Sequence, residues 1–182
     1  IAVEHITQAK IITVPNALTL VRILLLPVVV WRFVLGDTTG ALIAYMTAML
    51  TDALDGIIAR KTNQITALGK LLDPIADKLS LVTLLGLFVS AGEIPLWVLA
   101  IILFKEVMMV IGGGVALKHG IVVYALPIGK ITTVTFVLSM LARFLSMPSP
   151  ADILLWISVA LSMVALVWYA IDLMKKLGLK QI

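Results

Sequence analysis

Apolar residues run in long blocks along this chain, broken in three places by clusters of glycine, proline and acidic residues. Gly36-Asp37-Thr38-Thr39-Gly40, Gly92-Glu93-Ile94-Pro95 and Met147-Pro148-Ser149-Pro150 are turn signals, because glycine tolerates positive φ and proline cannot continue a helix. Each block is close to the ~20 residues that one bilayer crossing requires. The pattern predicts six spanning helices, over 16–35, 41–59, 71–90, 96–117, 128–146 and 153–173. The expected fold is all-α, a polytopic integral membrane protein. With no long linker, internal repeat or low-complexity segment, residues 1–182 are expected to form one domain.

Composition sharpens this. Of 182 residues, 62% are hydrophobic and 13% charged, where a soluble domain carries roughly 25% charged residues. With a mean hydropathy of +1.15, the apolar excess cannot be hidden in a core of this size. A soluble globular enzyme and a disordered chain are both excluded, and six crossings leave no room for a separate soluble domain. The absence of cysteine removes disulfide frameworks, thiolate metal sites and cysteine nucleophiles. The chain opens on Ile1 rather than methionine, so trimming or processing is expected. Glu4, His5, Gln8 and Lys10 do not make a signal-peptide layout.

Lys and Arg outnumber Asp and Glu by 14 to 10, a net charge of +4. No basic stretch is interleaved with aromatics, so the excess points to cytoplasmic loops and not to nucleic acid. Three connections carry only Asp37, Glu93 and Asp152, while the opposite side holds Lys10, Arg60, Lys61, Lys70, Lys118, Lys130, Lys175, Lys176 and Lys180. Both termini are therefore expected in the cytoplasm, with the protein in the cell membrane. Arg32 and Arg143, near the non-cytoplasmic ends, are expected to snorkel.

The chemistry concentrates between Thr51 and Lys78. Asp52 and Asp55 are three apart near the end of the second helix, and Asp73 and Asp77 four apart at the start of the third. A short polar turn joins these helices and predicts antiparallel neighbours, with four carboxylates converging at one end of the pair. Four like charges near hydrocarbon repel and are costly to desolvate, so they are either protonated or neutralised by cations. Two divalent ions would cancel the formal −4. An all-oxygen donor set favours hard ions, Mg²⁺ or Mn²⁺, and paired ions suit phosphoryl chemistry. Gly56 and Ala59 extend the aspartate face and leave space for a ligand, Arg60 lies a turn beyond Gly56, and Gly69 precedes Asp73 by four.

Asp52-x-x-Asp55-Gly56-x-x-Ala59-Arg60, eight residues, then Gly69-x-x-x-Asp73-x-x-x-Asp77 resembles the complete signature of the CDP-alcohol phosphatidyltransferase family. The resemblance implies a six-helix membrane enzyme that joins an alcohol to the phosphatidyl group of CDP-diacylglycerol and releases CMP. It implies that Asp52, Asp55, Asp73 and Asp77 hold two metals and that Asp77 is the catalytic base. It further implies that Asp52, Asp55, Gly56, Ala59, Arg60 and Gly69 bind the cytidine diphosphate, that the site faces the cytoplasm, and that the protein is a homodimer.

The acceptor is read from smaller signals. Pro15-Asn16-Ala17-Leu18-Thr19-Leu20-Val21-Arg22, Asp73-Pro74-Ile75-Ala76-Asp77-Lys78 and Gly129-Lys130 resemble two branches, the phosphatidylglycerophosphate synthases and the CDP-dependent cardiolipin synthases. By that resemblance Lys105, Lys130 and Arg22 bind the acceptor, with glycerol 3-phosphate the first reading. Lys105-Glu106 in an apolar helix is alternatively a buried ion pair. An arginine usual in the phosphatidylglycerophosphate synthases is replaced by Gly112-Gly113-Gly114, a run that also permits close helix packing; Lys118 or His119 could substitute for it. Phosphatidylglycerol, as in a cardiolipin synthase, is the alternative acceptor, followed by inositol phosphate and others. Outside the class stands a cation channel or transporter lined by the acidic cluster.

Overall fold

The computed structural model describes residues 13–62, 67–121 and 127–178. They form six helices: α1 (Val14–Val34), α2 (Thr38–Thr62), α3 (Ala67–Ser90), α4 (Leu96–Lys118), α5 (Pro127–Phe144) and α6 (Pro148–Lys176). Each expected segment is a helix, and α2 and α3 extend past the apolar blocks into the polar stretch between them. α1, α4 and α6 are long and apolar enough to cross a membrane. Among the described residues α3 falls short because Asp73, Asp77 and Lys78 lie close together in it, and α5 because it carries Lys130, Arg143 and three threonines. The chain divides into two compact units, Ile1–Ala91 and Gly92–Ile182.

In the first unit, Thr13 caps α1 by accepting from the Asn16 amide at 3.4 Å, and Pro15 sits in the first turn, where its missing N–H costs nothing. Gly36 (φ 78°) ends α1: its amide bonds Phe33 and the Asp37 amide bonds Arg32, closing a Schellman turn. Asp37 then caps α2, its Oδ1 accepting from the Gly40 amide at 2.8 Å, and its Oδ2 pairs with half-exposed Arg32 at 3.0 Å. This tight hairpin lays α2 along α1. Ala41, Ala44 and Ala48, with Tyr45, line the buried face of α2, and their small side chains let the backbones approach closely. Leu26 and Val29 of α1 and Leu84, Leu85 and Phe88 of α3 complete the core, with Phe88 edge-on to Phe33 at 5.4 Å.

The extensive packing in this unit is α1 on α2 and α1 on α3. The sequence predicted α2 and α3 as direct neighbours. Among the described residues both helices pack on α1, whose Thr19 and Arg22 each meet one aspartate from α2 and one from α3.

In the second unit α6 packs against α5 and α4. The Ser139 hydroxyl donates to the Ala151 carbonyl at 2.7 Å, and Trp97 stacks on Trp156 at 5.3 Å. Arg143 does not snorkel. It is 5% exposed and bonds the Glu93 carbonyl at 3.1 Å, Glu93 Oε2 at 3.4 Å and Asp152 Oδ1 at 2.5 Å. Two acidic residues meeting on one guanidinium make burial cheaper than reaching for solvent.

Ser146, between α5 and α6, adopts φ 55°, with its amide on Arg143 and the Met147 amide on Ala142. This is the left-handed position at which Gly36 serves after α1. Ser146→Gly should therefore raise stability by roughly 0.5–1 kcal/mol, the relief of strain less the added freedom of the unfolded chain. Thermal unfolding in detergent reads this as a raised Tm, and a lowered Tm refutes it.

Candidate active site

The buried face of α1 is polar at its start. Asn16, Thr19 and Arg22 follow one another at intervals of three, all buried, ahead of Leu26 and Val29. A helix in an apolar unit has no reason to bury three polar side chains in line unless they meet partners. Thr19 and Arg22 meet all four signature aspartates.

Thr19 Oγ1 lies 2.9 Å from Asp73 Oδ1 and 3.2 Å from Asp55 Oδ2, and also 3.1 Å from the Pro15 carbonyl. One hydroxyl proton serves one of these three acceptors at a time. Arg22 Nη1 bonds Asp77 Oδ1 at 2.8 Å and pairs with Asp52 Oδ1. The four carboxylates thus form two pairs, each joining α2 to α3. Asp55 and Asp73 meet on Thr19, and Asp52 and Asp77 on Arg22. Asp55 is buried, at the end of the alanine face of α2, whereas the Asp52 and Asp77 side chains are 50% and 64% exposed.

One arginine against four carboxylates leaves a formal −3. Two carboxylate charges about 6 Å apart repel by roughly 3 kcal/mol at an effective dielectric near 20, so the cluster calls for cations. The donors are all oxygens, the set that hard divalent ions prefer. Among the described residues no three His, Cys, Asp or Glu side chains form one ligand group. The arrangement is two cross-helix pairs, Asp55 with Asp73 on Thr19 and Asp52 with Asp77 on Arg22.

Gly56, Ala59 and Arg60 belong to α2, where the signature predicts the nucleotide pocket, and their side chains lie outside the described residues. Gly69 is buried on α3. Lys105 of α4 pairs with its neighbour Glu106 at 2.6 Å, as in the ion-pair alternative. Lys130 is exposed at the start of α5, and His119 is an exposed helix cap whose Nδ1 lies 2.9 Å from the Val115 carbonyl. Among the described residues a Cβ added at Gly113 or Gly114 would meet nothing within 4 Å, and one at Gly112 would meet Leu173 at 3.7 Å.

In the reading by resemblance Arg22 is an acceptor ligand, and in the structure its Nη1 lies on Asp52 and Asp77. Thr19 carried no role in that reading. The interval of three from Asn16 through Thr19 to Arg22 is the signal that points to both.

Residues 12–164 match the CDP-alcohol phosphatidyltransferase family, and the chain belongs to it. Among its relatives, a CDP-diacylglycerol–glycerol-3-phosphate 3-phosphatidyltransferase of Bacillus subtilis is 33% identical over 83% of this chain and 90% of its own length. The enzyme of that name from Aquifex aeolicus is 34% identical over 71% of this chain and 74% of its own. A cardiolipin synthase (CMP-forming) of Streptomyces coelicolor is 32% identical over 61% of this chain and 54% of its own. The chain spans about half or less of the length of the cardiolipin synthases it matches first.

Proposed function

We propose that this protein transfers the phosphatidyl group of CDP-diacylglycerol to glycerol 3-phosphate, giving phosphatidylglycerophosphate and CMP. The observation that carries the reaction class is the gathering of Asp52, Asp55, Asp73 and Asp77 in two cross-helix pairs on one face of α1. The choice of acceptor rests on the relatives. Those named for glycerol 3-phosphate match over 90% and 74% of their own lengths, against 54% for the Streptomyces cardiolipin synthase.

In this reading Asp52, Asp55, Asp73 and Asp77 hold two Mg²⁺ or Mn²⁺ ions, which when bound neutralise the pyrophosphate and the charge that develops on it. Asp77 takes the proton of the acceptor hydroxyl. The freed oxygen attacks the lipid-bearing phosphorus, the pyrophosphate P–O bond breaks, and CMP leaves. Gly56, Ala59, Arg60 and Gly69, with Asp52 and Asp55, bind the cytidine diphosphate. Lys105 and Lys130 bind the acceptor phosphate. Residues 1–182 act as one domain with six crossings, both termini and the site on the cytoplasmic side of the cell membrane, in a homodimer.

The second reading is a cardiolipin synthase that uses phosphatidylglycerol. Gly112-Gly113-Gly114, where the glycerol-3-phosphate branch usually carries an arginine, favours it.

One assay separates these readings. CMP release from CDP-diacylglycerol is followed with glycerol 3-phosphate, phosphatidylglycerol or inositol phosphate offered singly. Glycerol 3-phosphate should support turnover. Lys105→Met or Lys130→Met should then raise its KM about ten- to a hundred-fold, the worth of one charge-assisted hydrogen bond, with little change in the KM for CDP-diacylglycerol. Turnover with phosphatidylglycerol alone establishes the second reading.

A further inference from the structure

Arg22 is buried, 3% exposed, yet most of its hydrogen-bonding capacity is unspent. A guanidinium offers five N–H donors. Nη1 serves both Asp52 and Asp77, while Nε and Nη2 are buried without a hydrogen-bond partner among the described residues. A structural arginine normally distributes its donors in forked pairs. This one instead holds a single nitrogen between two carboxylates from two helices, a position that a small cation can also fill. The exposure is lopsided. The arginine side chain is 4% exposed, whereas Asp52 and Asp77 are 50% and 64% exposed. The carboxylates are closed by the arginine on the protein side and open on the other.

We propose that Arg22 is an internal counter-cation, a positioning residue that shares Asp52 and Asp77 with a divalent ion and yields them when the ion binds. The proposal rests on the two-metal reading above and makes the two carboxylate pairs unequal. Asp55 and Asp73 meet on a neutral hydroxyl, which an ion need not displace. Asp52 and Asp77 meet on a fixed positive charge, which lowers their affinity for a second cation. The ions therefore load in two steps. Without divalent ions the arginine also keeps the two exposed aspartates from driving α2 and α3 apart.

The test is Mn²⁺ binding to the full chain in lipid nanodiscs, read from the spin-resonance signal of free Mn²⁺ and independent of turnover. The wild-type protein should show two affinity classes. Arg22→Met, which keeps the stem and removes the charge, should tighten the weaker class by about ten-fold or more. The same variant should unfold at a lower temperature than wild type in chelator and regain most of the difference in Mn²⁺. Arg22→Lys, with the charge restored, should return the weaker class to near its wild-type affinity. Should Arg22→Met not survive extraction, Arg22→Gln keeps N–H donors, loses the charge and carries the same expectation. An affinity that is unchanged or weakened in the neutral variant overturns the proposal, because a merely structural arginine supports the site it touches. Wild-type protein that binds no Mn²⁺ at all overturns the two-metal reading instead, and the two failures are told apart by that control.

Discussion

Stripping divalent ions from the purified protein should abolish CMP release, and Mg²⁺ or Mn²⁺ added back should restore it. The expectation follows from charge. Four aspartates and one arginine sum to −3, and the substrate brings a pyrophosphate with further negative charge to the same end of α2 and α3. Without cations, substrate and site repel each other, and every pair of like charges about 6 Å apart adds roughly 3 kcal/mol to the cost. Recovery should be steep with hard ions and absent with monovalent salt, which screens exposed charge but does not bridge two carboxylates. Full activity in excess chelator would remove the metals from the reaction and return the aspartates to a structural role.

The second large effect is expected at Asp77. Asp77→Asn preserves the size of the side chain and one oxygen ligand, but an amide cannot take the acceptor proton. Turnover should fall about 10²- to 10⁴-fold, the usual worth of a positioned general base, while CDP-diacylglycerol still binds. Asp73→Asn is the contrast. Its partner is neutral Thr19, so the loss of charge falls on metal and nucleotide binding together. Binding of the CDP-lipid measured beside single-turnover CMP release separates the two. An Asp77→Asn protein that turned over at the wild-type rate would move the base to another residue.

Much of this molecule is readable in one dimension. The apolar blocks and the turn signals at Gly36, Gly92 and Pro148 mark the helices because bilayer thickness and backbone sterics act on short stretches of chain. Asp52, Asp55, Asp73 and Asp77 are legible because helical spacing gathers each pair on a face. What could not be read is which helix both pairs meet. The connection after α2 makes α3 its successor in sequence, yet the packing face that Thr19 and Arg22 present belongs to α1, more than 25 residues earlier. The burial of Arg143 is illegible in the sequence for a related reason. Glu93 and Asp152 are far apart along the chain, and only the fold brings them to one guanidinium.

The place of Arg22 on the first helix also bears on how the chain enters the membrane. Synthesis runs from the N-terminus, so α1 is made before α2 and α3, and its hairpin partner α2 follows after a three-residue turn. An aspartate at the centre of a membrane helix costs about 2.5–3.5 kcal/mol to insert alone. Asp52 arrives with a cation already waiting on the neighbouring helix, and Asp55 with a hydroxyl. In the six-crossing topology proposed above, the early helix would serve as an insertion partner for acidic helices too polar to enter easily by themselves. A signature transplanted without Thr19 and Arg22 would lose that partner before any substrate was met.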